Sequence, residues 1–236
     1  MRNPLNEQLD RLPCPARVAA DWLIGIAIAV AIVLAVRAWV VTPYAIPTAS
    51  MEPTLHCSRS SNAKPVAPSS PVQPGQGQSS TSETGKNASI YQCQGSLLLG
   101  HSFADRVLVN RFIFDFRSPR RGEIVVFKPP RVASLMCSDL NTSVLVKRLI
   151  GLPGEELIER RGLIYVNGKK LEEPYIKSNR RDTLNGVWQI GKNEYFFMGD
   201  NRKASCDSRE WNTVPRKDLI GPVFMTYWPP NRISFS

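Results

Sequence analysis

The sequence predicts a mostly β protein: an N-terminal transmembrane helix, then an antiparallel β-sheet domain with a small second β subdomain. Three observations carry this. The twenty residues from Trp22 to Val41 are apolar except for Arg37. Ser, Pro, Gly and Gln make up 20 of the 35 residues from 58 to 92, a break in composition. From Arg106 onward, short runs rich in β-branched and aromatic residues recur between turns bounded by Pro and Gly.

Residues 1–21 hold three basic and three acidic residues and read as a cytoplasmic N-terminus. The predicted anchor follows at 22–41. At about 1.5 Å per residue, twenty residues reach about 30 Å, the thickness of a bilayer core. Trp22 and Trp39 stand where aromatic belts lie, and Arg37 is near enough to the end to snorkel. A cleaved signal peptide would have a shorter apolar core and a small-residue cleavage site. Here Trp39, Val40, Val41, Thr42 and Pro43 follow instead. After the span no Lys or Arg occurs until Arg59, which places the remaining chain outside the cytosol.

Residues 42–56 form a short segment before the break, and 57–100 read as a flexible Ser/Pro/Gln-rich insertion. Such a composition buries too little apolar surface to offset its ordering entropy. Strands are expected at RVLVNRFIF (106–114), EIVVF (123–127), VLVKRLIG (144–151), LIYV (163–166), GVWQI (186–190), EYFFM (194–198) and PVFMTYW (222–228). Asn167-Gly168 is a hairpin turn between LIYV and KKLEEPYI. Residues 101–236 complete the β domain, with 155–194 as the small second subdomain.

Composition excludes several classes. A hydrophobic content of 42% excludes a wholly disordered chain, and a mean hydropathy of −0.20 excludes a polytopic membrane protein. Five Cys and two His contain no CxxC or HxxxH pair, so no metal site is expected, and no cofactor motif appears. The net charge of +10 fits either phosphate binding or anionic lipid.

Three segments could carry chemistry. Ser50 lies in YAIPTASMEPTL (44–55), bracketed by Pro47 and Pro53. A lone Ser says little, because a serine nucleophile needs a base and histidine is nearly absent. Lys147, inside VLVKRLIG, offers one. On a strand it shares a face with Leu145 and Leu149, while Val146, Arg148 and Ile150 face the other way. An ammonium between two leucines is desolvated and its pKa falls, so its neutral form could accept a proton. The alternative is a Lys at a strand edge that snorkels to water. The third segment, MGDNRKASCDSREWNTVP (198–215), packs Asp200, Arg202, Ser205, Asp207 and Arg209 together after an apolar strand. It reads either as the lining of a site or as a solvated turn.

In order along the chain, the N-terminal anchor, IPTASMEPTL, DRVLVNRF (105–112), RGEIVVFKPP (121–130), VKRLIGLPGE (146–155) and GDNRKASCDSREW (199–211) resemble the bacterial type I signal peptidases, or leader peptidases. These are membrane-bound Ser-Lys endopeptidases. The resemblance implies Ser50 as nucleophile and Lys147 as general base. It implies Ser205 as the residue orienting Lys147, and the Ser50 N–H with the Thr48 hydroxyl as oxyanion donors. Asp207 and Arg209 would brace the site, with Arg148 and Asp200 in support. Ile46, Met51, Leu55 and Val146 match positions lining the first substrate pocket, with Tyr44 and Leu145 as weaker candidates; simple core packing is the alternative for all six. The implied substrates are signal peptides of exported preproteins, cut after an Ala-x-Ala-like site in the cell or thylakoid membrane. No cofactor, metal or nucleic acid is implied.

Nine residues of extended chain reach at most about 30 Å, so Ser50 would lie close to the membrane. Two departures stand out: Ala104 precedes Asp-Arg where the family usually has Gly, and Asn212 follows the Trp of SREW. Asn tolerates positive φ, which would preserve that turn. Cys57, Cys93, Cys137 and Cys206 would face an oxidising compartment, and four cysteines allow three pairings. Cys57–Cys93 is the first expectation, and Cys206 could be oxidised or a free thiol. A self-cleaving repressor-type Ser-Lys peptidase would need a DNA-binding domain where the anchor stands. A binding module without activity would lack Ser or Lys. A nucleic-acid binder would show a recognisable motif. Residues 117–181 carry 14 basic and 7 acidic residues, so the excess charge sits in the predicted outer domain and suits anionic headgroups.

Overall fold

The computed structural model describes residues 14–39, 41–57, 96–98, 101–137 and 143–236. The expectations for residues 1–13 and most of 57–100, Cys93 included, lie outside these. The chain divides into two compact units, Met1–Thr42 and Pro43–Ser236.

In the first unit, helix α1 runs from Cys14 to Trp39. From 18 to 34 its side chains are exposed on nearly every side, Trp22, Leu23 and Val33 among the most exposed. Among the described residues, no helix is long and apolar enough to cross a membrane. The predicted span 22–41 also overruns α1: strand β1 (Val41–Ala45) begins at its last residue. Pro43 lies two residues on, lacks an N–H and biases the residue before it toward extended backbone.

The second unit is built on antiparallel sheets. A single 3₁₀ turn, Ala49–Met51, follows β1. Strands β2 (Ser96–Leu98) and β3 (His101–Phe103) pair as a hairpin, so part of the range read as insertion is strand. Strand β4 (Arg106–Asn110) stops four residues short of the predicted run, and Ile113–Phe116 form a helical turn, α2. The Asn110 side chain causes this, because its Oδ1 accepts from the N–H groups of Phe112 (3.0 Å) and Ile113 (3.1 Å).

Then come β5 (Ile124–Phe127), helix α3 (Arg131–Met136) and β6 (Leu145–Gly151). Next are β7 (Glu156–Arg160), β8 (Leu163–Val166), β9 (Lys169–Lys170) and β10 (Gly186–Gln189). The chain closes with β11 (Glu194–Met198), helix α4 (Ser208–Trp211), β12 (Val214–Pro215), β13 (Leu219–Trp228) and β14 (Ser234–Phe235).

The large sheet has the order β1-β4-β13-β5-β6-β11-β12, with β14 on β13. The small sheet has the order β10-β7-β8-β9. Asn167 and Gly168 both take positive φ, 48° and 78°, at the β8–β9 turn that an Asn-Gly pair favours. Beyond β9, the remainder of KKLEEPYI leaves the sheet as a loop, followed by a 3₁₀ turn at Ser178–Arg180.

Three apolar clusters fill the unit. One gathers Val125, Phe127, Leu145, Leu149, Phe197 and Trp211, with Phe127 and Phe197 stacked at 4.5 Å. A second holds Ile46, Met51, Leu55, Val107, Val109 and Val126. The third, Ile150, Leu157, Ile164, Ile190, Phe196 and Met198, draws on strands of both sheets. Strand β6 therefore meets core on each of its faces, and its third residue is shut away from water.

Candidate active site

Lys147 is that third residue. It pairs with Val125 of β5, its neighbours Leu145 and Leu149 lie in the first cluster, and it is 3% exposed. Burial lowers its pKa from 10.5 to about 8. Asp207 pulls the value up, Arg209 presses it down and Asp200 raises it again. The alternative of a lysine reaching water from a strand edge is thereby excluded.

Ser50 sits in the 3₁₀ turn that packs against β6, 6% exposed. Its hydroxyl lies 3.2 Å from the Thr48 hydroxyl. The backbone of the turn is held by a residue 151 positions later: the Asn201 N–H donates to the Ser50 carbonyl (3.0 Å), and Asn201 Nδ2 donates to the Ala49 carbonyl (3.1 Å). Gly199 makes this approach possible, since a Cβ there would collide with the Ser50 carbonyl and with Ser205 Oγ and Cβ. Ser50 and Ser205 thus flank the same glycine. The Ser205 hydroxyl is buried and meets no hydrogen-bond partner among the described residues.

Asp207 caps α4, accepting from the Arg209 N–H at 3.2 Å. Its other oxygen accepts from the Gly199 N–H at 3.0 Å. Burial alone would raise this carboxyl. The Arg209 guanidinium, with Nε at 2.8 Å and Nη2 at 2.9 Å, outweighs burial, and Lys147 adds to it, holding Asp207 below the usual carboxylate range. Asn212 ends α4 at φ 72°, the conformation its residue type allows. Arg148, on the opposite face of β6 from Lys147, grips Asp200 through Nε (2.8 Å) and Nη2 (2.6 Å). The Thr54 hydroxyl also donates to Asp200, at 2.5 Å.

Of the six candidate pocket residues, Ile46, Met51 and Leu55 are buried in the second cluster, with Tyr44 and Val146 packed against it. Leu145 belongs to the first cluster, on the other face of β6. Among the described residues, no group of three or more His, Cys, Asp or Glu side chains is arranged to hold a metal.

Several charged residues tied to the site escaped the sequence. The stretch from Glu173 to Asp182, in the connection between β9 and β10, supplies three buried partners. Glu173 pairs with Arg202, Asp182 pairs with Arg209, and Arg180 lies 3.6 Å from Glu52, two residues after Ser50. Tyr175 lies against Arg148, its ring centre 4.0 Å from the guanidinium carbon, and its hydroxyl donates to Glu173 at 3.2 Å. A weak signal was present: charged residues are dense where strand character fades. Cys206, between Ser205 and Asp207, is disulfide-bonded to Cys137. Cys57 is disulfide-bonded as well.

A buried lysine on β6 and a serine-bearing turn packed against that strand thus come together here. The model of the family described as "Signal peptidase, peptidase S26" matches residues 19–66 and 97–228, and the chain belongs to that family. It is 39% identical over 129 residues to "Signal peptidase I" of Leptolyngbya laminosa, an alignment covering 55% of this chain and 63% of that one. It is 29% identical over 223 residues to "Signal peptidase I P" of Bacillus subtilis subsp. natto, covering 90% and 91%. A solved signal peptidase I from Enterococcus faecalis V583 matches at 30% identity with a TM-score of 0.37, covering 45% of this chain and 97% of that one. The chain thus spans about six-tenths of the length of the cyanobacterial relatives it matches.

Proposed function

We propose that this protein is a membrane-anchored serine endopeptidase. It removes N-terminal signal peptides from exported preproteins after an Ala-x-Ala-like site, with Ser50 as nucleophile and Lys147 as base. The observation that carries the reading is the burial of Lys147 on the strand against the Ser50 turn, which brings its pKa to about 8. A useful fraction of the amine is then neutral under mildly alkaline conditions, and a neutral amine can take the Ser50 proton as the hydroxyl attacks. The Ser50 N–H and the Thr48 hydroxyl are donors for the oxyanion. The protonated lysine returns its proton to the leaving amine, and water then releases the acyl group by the same route. Asp207 and Arg209 brace the lysine, with Arg148 and Asp200 in support, and Ser205 is the residue that would orient the amine. Small first and third residues before the cut would be selected by exclusion of bulk near Ile46, Met51, Leu55 and Val146.

The uncharged run from Trp22 to Val36 supports an anchor, with the N-terminus cytoplasmic and the second unit on the far side. The basic excess in 117–181 supports contact with anionic headgroups. Full-length protein assayed on a preprotein bearing Ala-x-Ala tests the chemistry. Ser50→Ala and Lys147→Ala should each abolish cleavage while the protein stays folded and membrane-bound. Full activity in either variant overturns the assignment.

A further inference from the structure

Arg209 stands among more negative charge than one guanidinium balances. Asp207 lies 2.8 Å from its Nε, Asp182 pairs with Nη1, and Glu159 lies 3.9 Å from Nη1. Asp207 belongs to the loop beside the nucleophile turn. Glu159 comes from β7 of the small sheet, and Asp182 from the chain leading to β10.

The Glu159 side chain is fully buried, and neither of its oxygens accepts a hydrogen bond. An ionised carboxylate left this way is costly, because burial removes water and nothing replaces it. Its carboxyl and that of Asp182 both lie against the same nitrogen, Arg209 Nη1. Two neighbouring carboxyls are stable when they share one proton, with one as acid and the other as acceptor. The other charges on it are Arg209, from α4, and Arg202, from the turn before α4. Burial raises the Glu159 pKa, Arg209 draws it back, and Asp182 lifts it again, to about 8.

We infer that Glu159 is a neutral carboxylic acid at neutral pH, donating its O–H to Asp182, and that it is a positioning residue for Lys147. With Glu159 neutral, Arg209 faces two carboxylates, one of which is Asp207. Asp207 in turn faces Lys147. When Glu159 loses its proton, a third negative charge appears beside Arg209. The guanidinium then presses less on Lys147, and the lysine holds its proton to higher pH. The state of a small-sheet side chain thereby sets the pH at which the base becomes available.

The kinetic part of this inference rests on the Ser50–Lys147 reading; the protonation does not. The test uses full-length protein in detergent micelles. Glu159→Gln keeps a donor toward Asp182 and cannot ionise. Its kcat/KM should rise with pH earlier than in the wild type, about twofold to threefold higher near pH 8, and reach the same plateau. A role confined to packing would lower the plateau and leave the rise where it was, and a profile identical to wild type would overturn the inference. The second arm needs no variant. Wild-type protein labelled with ¹³C at glutamate carboxyls should show one protonated carboxyl at pH 6.5, lost as pH rises through about 8. If no glutamate is protonated at pH 6.5, the inference fails even where Glu159→Gln cannot be obtained folded. Ser50→Ala is assayed alongside: activity there overturns the dyad and leaves the carboxyl result standing.

Discussion

Asn201 holds Ser50 by the backbone: its N–H donates to the Ser50 carbonyl at 3.0 Å, while its side-chain amide holds the Ala49 carbonyl at 3.1 Å. The Ser50 turn is a single 3₁₀ turn and cannot be rigid alone. Its rigidity comes from the loop that also bears Ser205 and Asp207.

Gly199 is the hinge of that clasp, so Gly199→Ala should cost activity out of proportion to one methyl group. The added Cβ meets the Ser50 carbonyl backbone on one side and Ser205 on the other. Loss of kcat/KM should exceed about a hundredfold, since displacing reacting groups by an ångström costs that much. Steady-state kinetics with circular dichroism as a folding control decide it; near-normal kcat/KM in a folded protein sinks the prediction.

Lys147 should weaken the fold below about pH 8. Its folded pKa, about 8, lies below the unfolded value near 10.5. Between these the unfolded chain binds more protons, so stability rises with pH through that window. Lys147→Met removes the charge while Arg209 still holds Asp207. The variant should be inactive yet more stable at pH 7, by up to about 3 kcal/mol, and the gain should vanish near pH 10.5. Denaturant melts at pH 7 and pH 10 measure the difference.

Arg180 and Glu52 form a buried pair between the β9–β10 connection and the residue two beyond Ser50. Removing one partner of such a pair costs about 3–5 kcal/mol, whereas replacing both with apolar residues costs far less. Arg180→Met and Glu52→Leu should each destabilise strongly, and the double variant should recover much of the loss. Additive effects in a double-mutant cycle would deny the coupling.

The Cys137–Cys206 bond closes a loop across 69 residues and anchors the site loop to the end of α3. On the chain-entropy account, such a closure contributes about 4 kcal/mol at most. Cys137→Ser with Cys206→Ser should lower the melting temperature. It should also lower kcat more than it raises KM, because Cys206 is flanked by Ser205 and Asp207. An unchanged melting temperature counts against the bond as a stabilising link.

What could be read in advance follows the range of the interactions involved. The burial of Lys147 was legible because strand alternation puts it between Leu145 and Leu149, all within five residues. The strand overrun at 106–114 arose because one side chain, Asn110, ends the strand, and periodicity does not see a cap. Ser50 alone was mute, since the groups that hold it lie some 150 residues away. Glu173, Arg180, Asp182 and Glu159 were invisible for the same reason: charged residues in a polar stretch look solvated until the partner arrives from another sheet. The ordered resemblance supplied roles for residues such as Thr48 and Ser205, which no local pattern singles out. It did not supply the partners from the small sheet.

The seam at Asp105 has a consequence for how this chain can be altered. Asp105 N–H donates to the His56 carbonyl at 2.8 Å, its carboxylate accepts from the His56 N–H at 2.8 Å, and its carbonyl accepts from the Ile46 N–H at 3.0 Å. Arg232 Nη2 lies 3.0 Å from the same carboxylate. The chain therefore departs at His56 and returns at Asp105 through one fastened coupling. Closing a longer loop adds only about 0.6 kcal/mol per doubling. The coupling is thus a port, where a reporter or a whole foreign domain could be spliced without disturbing the Ser50 turn a few residues upstream.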